Sequence, residues 1–233
     1  MLDNTDLQSI LRDPSLLSSK AYVAGEWVEA ADGGTYPVLN PARGDVLVDL
    51  PDLSVEDAKR AIDAAYVAQK DWAAHTGKER AAIMRKWYEL MIENADDLAA
   101  ILTAEMGKPL AEAKGEILYA ASFIEWFGEE AKRVYGEIIP GHQRDKRMTV
   151  LKQTFCVVAS ITRWNFPSAM IARKVGPALA TGCSFVARPA KETTLSVLAV
   201  ALLAERAGVP KGVFSVLTSS QSRPIGKEFC YNP

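Results

Sequence analysis

The spacing of hydrophobic and polar positions changes character twice along this chain. Residues 1–20 are polar and predict a loose lead with one helical turn. Ala21-Tyr-Val-Ala-Gly-Glu-Trp-Val28 alternates about a central glycine, the pattern of a small hairpin. Tyr36–Leu39 and Val46–Leu50 predict two further strands around the turn Pro41-Ala-Arg-Gly-Asp45. Apolar residues then recur at three- and four-residue steps, which predicts helices. Ser54-Val-Glu-Asp57 and Thr76-Gly-Lys-Glu79 read as capping boxes, and Asn94 with Asp97 as a third start. Gly107, with Pro109 just beyond, ends the third helix. A long helix is expected to run on to about Tyr135, with Gly136 as its stop.

From Met148 the pattern changes again. Met148–Phe155 is strand-like and Val157–Thr162 is a buried β run. A helix from Pro167, a strand Ser184–Ala187, a helix Thr194–Ala207 and a strand Val213–Leu217 follow in alternation. Strands alternating with helices predict βαβ units and a parallel sheet. No internal repeat or low-complexity tract interrupts them. The fold class expected is α/β, with a helical N-terminal layer packed on the first half of an open sheet.

Composition narrows the function. The chain has 233 residues, enough to bury a real core, and its net charge of -2 argues against a general nucleic-acid binder. No apolar run reaches membrane-span length; Leu195–Ala204, interrupted by Ser196, reads as a buried helix. The acidic, polar amino terminus lacks the pattern of a signal peptide, so a cytoplasmic protein is expected. Cys156, Cys183 and Cys230 are widely spaced and suit buried, reduced thiols. His75 and His142 offer no ligand spacing, so no metal is expected.

The chemistry concentrates in Ser160-Ile-Thr-Arg-Trp-Asn-Phe-Pro167. A strand-to-helix junction can hold a neutral amide rigidly, and Asn165 stands at one. Such an amide can donate to a developing oxyanion; it can equally cap the helix that Pro167 opens. An α/β sheet suggests a dinucleotide at its strand ends, yet no Gly-x-Gly-x-x-Gly follows any expected strand.

These stretches resemble the aldehyde dehydrogenase superfamily. The resemblance rests on Val23-Ala-Gly-Glu-Trp27, Asn40-Pro41, Glu105-Met-Gly-Lys-Pro109, the Asn165 junction with Met170–Ala180, and Gly182-Cys-Ser-Phe-Val-Ala-Arg-Pro-Ala190. Glu125-Trp-Phe-Gly-Glu-Glu-Ala-Lys-Arg-Val-Tyr-Gly-Glu-Ile-Ile-Pro140 is most similar to the succinate-semialdehyde dehydrogenase branch. The resemblance implies oxidation of an aldehyde by NAD(P)+ on a variant Rossmann domain without the usual glycine fingerprint. It implies three regions: residues 1–137 as hairpin and helical layer, 138–156 as an oligomerisation arm, and 157–233 as a partial nucleotide-binding sheet. A homo-oligomer is implied as well, with a small aldehyde and a nicotinamide dinucleotide as ligands, and no nucleic acid or membrane partner.

Site roles carry over residue by residue. Asn165 matches the oxyanion-hole asparagine. Ile161, Thr162 and Trp164 match positions on the nicotinamide side of the groove. Arg188, Pro189, Ala190 and Lys191 match the segment at the adenosine ribose. The family commonly has Lys first and often Glu fourth there, so two cations imply a preference for NADP over NAD. Gly226 matches a glycine at the adenine, and otherwise reads as a loop-to-helix glycine. Arg173 matches an arginine suited to a carboxylate-bearing semialdehyde. Arg163 departs from the family's usual proline. The family's nucleophilic cysteine and general-base glutamate match no residue here, so this chain alone is expected to be inactive. A non-catalytic protein that binds nucleotide or a paralogue is the alternative.

Overall fold

The computed structural model describes residues 4–232. The amino-terminal lead is ordered into the core, contrary to the loose segment expected. Helix α1 spans Asn4–Ile10 and a 3-10 turn spans Pro14–Leu16. Leu7, Leu11, Leu16 and Leu17 are buried. Asp97 fixes the turn between them by accepting the backbone N–H groups of Arg12 at 3.1 Å and Asp13 at 2.8 Å. Four buried leucines outweigh the polar composition of the segment.

Strands β1 (Ala21–Val23) and β2 (Glu26–Val28) form the expected hairpin. Its two turn residues, Ala24 and Gly25, both have positive φ, the requirement of a tight type I′ turn. A Cβ on Gly25 would also collide with Lys211. Strands β3 (Thr35–Leu39) and β4 (Val46–Pro51) form a separate antiparallel pair.

Four helices follow: α2 (Val55–Ala74), α3 (Gly77–Glu93), α4 (Ala95–Met106) and α5 (Leu110–Glu130). Both capping boxes form as read, Ser54 with Asp57 and Thr76 with Glu79. The third start also holds, with Asn94 as the N-cap of α4, but neither of its side chains caps the helix. Asn94 turns back to the Leu90 carbonyl at 2.8 Å, and Asp97 holds the amino-terminal lead instead. Helix α5 ends at Glu130, short of Tyr135, and passes through a 3-10 turn at Ala131–Arg133. Gly136 is not its left-handed stop. It is needed because a side chain there would strike the Val150 carbonyl.

Strands β5 (Glu137–Pro140) and β6 (Arg147–Val150) make an antiparallel ribbon. The strand expected over Met148–Phe155 stops at Val150, because residues 151–155 have no pairing partner. Ile138 is 81% exposed and Phe155 is 90% exposed.

The remaining elements are β7 (Val157–Ile161), α6 (Pro167–Ala180), β8 (Ser184–Arg188), α7 (Leu195–Ala207), β9 (Phe214–Val216) and α8 (Ser222–Tyr231). β7, β8 and β9 are parallel, as the alternation predicts. The full sheet is mixed, however, in the order β2-β1-β9-β8-β7. β1 joins antiparallel to β9 through Tyr22 and Val216, so residues 21–28 and 157–216 share one sheet.

Side chains alternate across that sheet, as strand geometry requires. Val186 packs with Ala58, Ala61 and Ala65 of α2 and Ile225 of α8. Phe185, Ala187 and Phe214 pack with α6 and α7 on the other face. Tryptophans tie the helical layer to that face: Trp72 Nε1 donates to the Leu179 carbonyl at 3.0 Å and Trp87 Nε1 to the Val200 carbonyl at 3.1 Å. Among the described residues no helix is long and apolar enough to cross a membrane, and no cluster of three or more metal-ligating side chains forms.

Candidate functional site

Three parallel strands present their carboxyl ends along one edge, the edge at which open α/β sheets bind ligands. Ile161 pairs with Arg188 there, and the Thr162 N–H donates to the Arg188 carbonyl at 3.2 Å. The chain then turns into α6 through Trp164, Asn165 and Phe166, all exposed. Phe166 occupies the N-cap position and no side chain of the junction caps the helix. The Asn165 amide makes no hydrogen bond among the described residues, so the helix-capping role does not apply to it.

Glu116 supplies the cap from α5. Its carboxylate is fully buried and accepts the N–H groups of Ser168 at 3.0 Å and Ala169 at 3.2 Å. Its other oxygen pairs with the Lys108 ammonium. Lys108 in turn donates to the Asn165 carbonyl at 3.2 Å and lies 4.2 Å from the centre of the Phe166 ring. This pair braces the Asn165 backbone and leaves its side chain free. Glu105, at the end of α4, does the same for α7: it accepts Leu195 N–H at 2.7 Å and Ser196 N–H at 2.8 Å. Burial pushes the Glu105 carboxyl up to about 8.

Neither carboxylate was singled out from the sequence. A signal was present. Glu105 lies on the buried stripe Leu98, Ile101, Leu102 of α4, and Glu116 on the stripe Ala113, Ile117, Ala120 of α5. An acid in an apolar stripe must be met by donors inside the protein.

The ribose-segment candidates lie along the same edge. Arg188 is 5% exposed, and its Nη2 donates to the Ser219 carbonyl at 2.7 Å. Burial lowers its pKa. Pro189 and Ala190 are buried, whereas Lys191 is exposed and borders a cleft of about 450 Å³ with Tyr36, Pro37, Glu192 and Ser220. Asp52 holds the facing loop, accepting the Ser220 N–H at 2.8 Å. Gly226 sits inside α8, not at a loop-to-helix boundary. A Cβ there would come 3.2 Å from Ile161 Cδ1, so glycine lets α8 approach the end of β7.

Among the described residues, Thr162 Oγ1 and Arg188 Nε at this edge are buried without a hydrogen-bond partner. Unused hydrogen-bonding capacity beside exposed Trp164 and Lys191 fits a polar ligand with an apolar face. Arg173 stands farther along α6. It is exposed, and its guanidinium lies 5.7 Å from the Phe123 ring centre on α5.

The thiols are elsewhere. Cys156 precedes β7 and Cys183 precedes β8, both at the amino ends of the strands. Cys183 is buried as expected, but Cys156 and Cys230 are exposed. Cys156 ends the unpaired segment before β7, and Cys230 faces solvent in the last turn of α8.

The sequence profile of the aldehyde dehydrogenase family matches residues 27–233. The chain is 58% identical, over 96% of its length, to a glutarate-semialdehyde dehydrogenase of Pseudomonas aeruginosa. It is 56% identical, again over 96% of its length, to the NADP(+) succinate-semialdehyde dehydrogenase of Escherichia coli. A crystal structure of an aldehyde dehydrogenase from Brucella melitensis biovar abortus 2308 superposes with a TM-score of 0.94 at 57% identity, covering 96% of the chain. The chain spans 46% of the length of each of these three proteins.

Proposed function

This chain belongs to the aldehyde dehydrogenase family, and on that premise we propose that the carboxyl edge of β7, β8 and β9 is the nicotinamide-dinucleotide side of an aldehyde-oxidising site. The observation that carries the reading is the free amide of Asn165. Because Glu116 satisfies the start of α6, the Asn165 NH2 is available to donate to an oxyanion at the aldehyde carbon. The dinucleotide, when bound, accepts the hydride.

Ile161, Thr162 and Trp164 line the nicotinamide end, with Thr162 Oγ1 as an unused polar contact. Arg188, Pro189, Ala190 and Lys191 border the adenosine ribose, and Gly226 lies on the adenine side, where its lack of a side chain lets the α8 backbone come close. Arg173 receives the carboxylate of the substrate. Succinate semialdehyde and the glutarate semialdehyde named for the relatives both carry such a group. No thiol stands at this edge, so these residues bind and stabilise charge but do not by themselves turn over aldehyde. The exposed ribbon β5–β6, with Ile138 and Leu151 bare, serves self-association into a homo-oligomer. Unpaired thiols agree with a reducing, cytoplasmic setting.

Titration with 2′,5′-ADP and with 5′-AMP tests this reading. Lys191 is the exposed cation that lines the cleft, so 2′,5′-ADP is expected to bind about tenfold tighter, with the margin shrinking in salt. Lys191→Ala should remove most of that margin. Equal affinities for the two nucleotides, or an unchanged margin in Lys191→Ala, would contradict the assignment.

A further inference from the structure

The opposite edge of the sheet carries a second feature. A groove of about 490 Å³ lies where the start of α3, the turn after α5, the end of α6 and the segment before β7 converge. Lys78, Arg80, Lys132 and Lys152 line it, together with Thr154 and Thr181. Among the described residues, no acid lines it.

The charges in this groove are poorly compensated. Arg80 is only 8% exposed. Its Nε donates to the Ala180 carbonyl at 3.0 Å and its Nη1 to the His75 carbonyl, while Nη2 makes no hydrogen bond among the described residues. No carboxylate pairs with it among the described residues. Glu79, the preceding residue, is occupied by the Thr76 N–H at 2.7 Å and hydroxyl at 2.8 Å. Lys132 has Glu129 at 2.8 Å, but among the described residues Lys78 and Lys152 make no ion pair. Lys78 also sits in the first turn of α3, where the helix dipole opposes a cation. A buried guanidinium with only carbonyl partners, among like charges, lacks its counter-charge.

The groove is held by close packing. Gly182 has φ +88°, and a Cβ there would come 3.1 Å from Thr154 Cγ2 and 3.2 Å from Ala73 Cα. Gln69 ties the same segments together, donating to Thr154 Oγ1 at 2.7 Å and to the Gly182 carbonyl at 3.2 Å.

We propose that this groove binds a multivalent oxyanion of the phosphate class, at the edge of the sheet opposite Asn165. The free Nη2 of Arg80 supplies a directed donor, and Lys78 and Lys152 supply mobile ammonium groups that can close on the ligand. The volume suits a small phosphorylated molecule.

Calorimetric titration of the full chain with pyrophosphate and with inorganic phosphate, in chloride buffer, tests the site. Pyrophosphate should bind tighter than phosphate. Lys78→Gln/Lys152→Gln should weaken pyrophosphate by about tenfold or more, and Lys20→Gln, at an exposed lysine paired with Glu29 outside the groove, should leave it unchanged. Without ligand, the double variant should unfold at or above the parent's midpoint, since like-charge repulsion is relieved. The proposal is overturned by absence of binding, by an unchanged affinity in the double variant, or by loss of affinity in Lys20→Gln. A lowered unfolding midpoint in the double variant would also overturn it, because the lysines would then serve the fold.

Discussion

Replacing Glu116 with alanine should lower the free energy of unfolding by about 3–5 kcal/mol, the range for breaking one half of a buried ion pair. Three groups lose their partner together. The Lys108 ammonium, itself nearly buried, is left without its carboxylate. The N–H groups of Ser168 and Ala169 lose their acceptor at the start of α6. Water cannot reach them readily, so the cost is that of desolvated, unpaired groups. Glu116→Gln keeps one acceptor for the N–H groups but not the charge, and should fall between the parent and the alanine variant. Urea unfolding of the three proteins measures the series. A loss below about 1 kcal/mol in Glu116→Ala would place the pair in the class of weak surface bridges and remove its role in bracing Asn165.

Glu105 should make stability depend on pH in an unusual direction. Its folded-state pKa is raised, by burial first of all, from 4.5 to about 8. Between these values the folded protein holds a proton that the unfolded chain has released. Stability from this group is therefore fully present below about pH 4.5, declines as pH rises, and levels off above about pH 8. The slope is at most about 1.4 kcal/mol per pH unit. Glu105→Gln removes the titration while keeping an acceptor for Leu195 or Ser196. The variant should be less stable than the parent at pH 5, and the gap should close or reverse towards pH 8. A gap that stays constant from pH 5 to pH 8 would contradict the raised pKa.

The two glutamates also mark the limit of what the sequence revealed. Local patterns were read successfully where the partners are local: the boxes at Ser54–Asp57 and Thr76–Glu79, the Ala24-Gly25 turn, and the alternation from β7 to β9. Reading failed where the partner is distant. Asp97 resembles a helix-start residue by spacing, yet its donors are Arg12 and Asp13. The hairpin was legible as a hairpin but not its neighbour: Tyr22 pairs with Val216 and extends the main sheet. Glu116 reaches α6 and Glu105 reaches α7, contacts that no helical period encodes. Asn165 was legible as a junction residue and through the family resemblance. Its two possible roles separated only once the start of α6 was seen to be capped from α5.

Where a nucleotide sits on the chain is the question on which the account turns. Amide hydrogen exchange with and without saturating NADP+ answers it directly. Slowed exchange is predicted across 161–166, 188–192 and 219–226, the segments that meet at the carboxyl ends of β7, β8 and β9. Exchange unchanged in all three segments, or slowed only around Lys78 and Lys152 at the opposite edge, would contradict it.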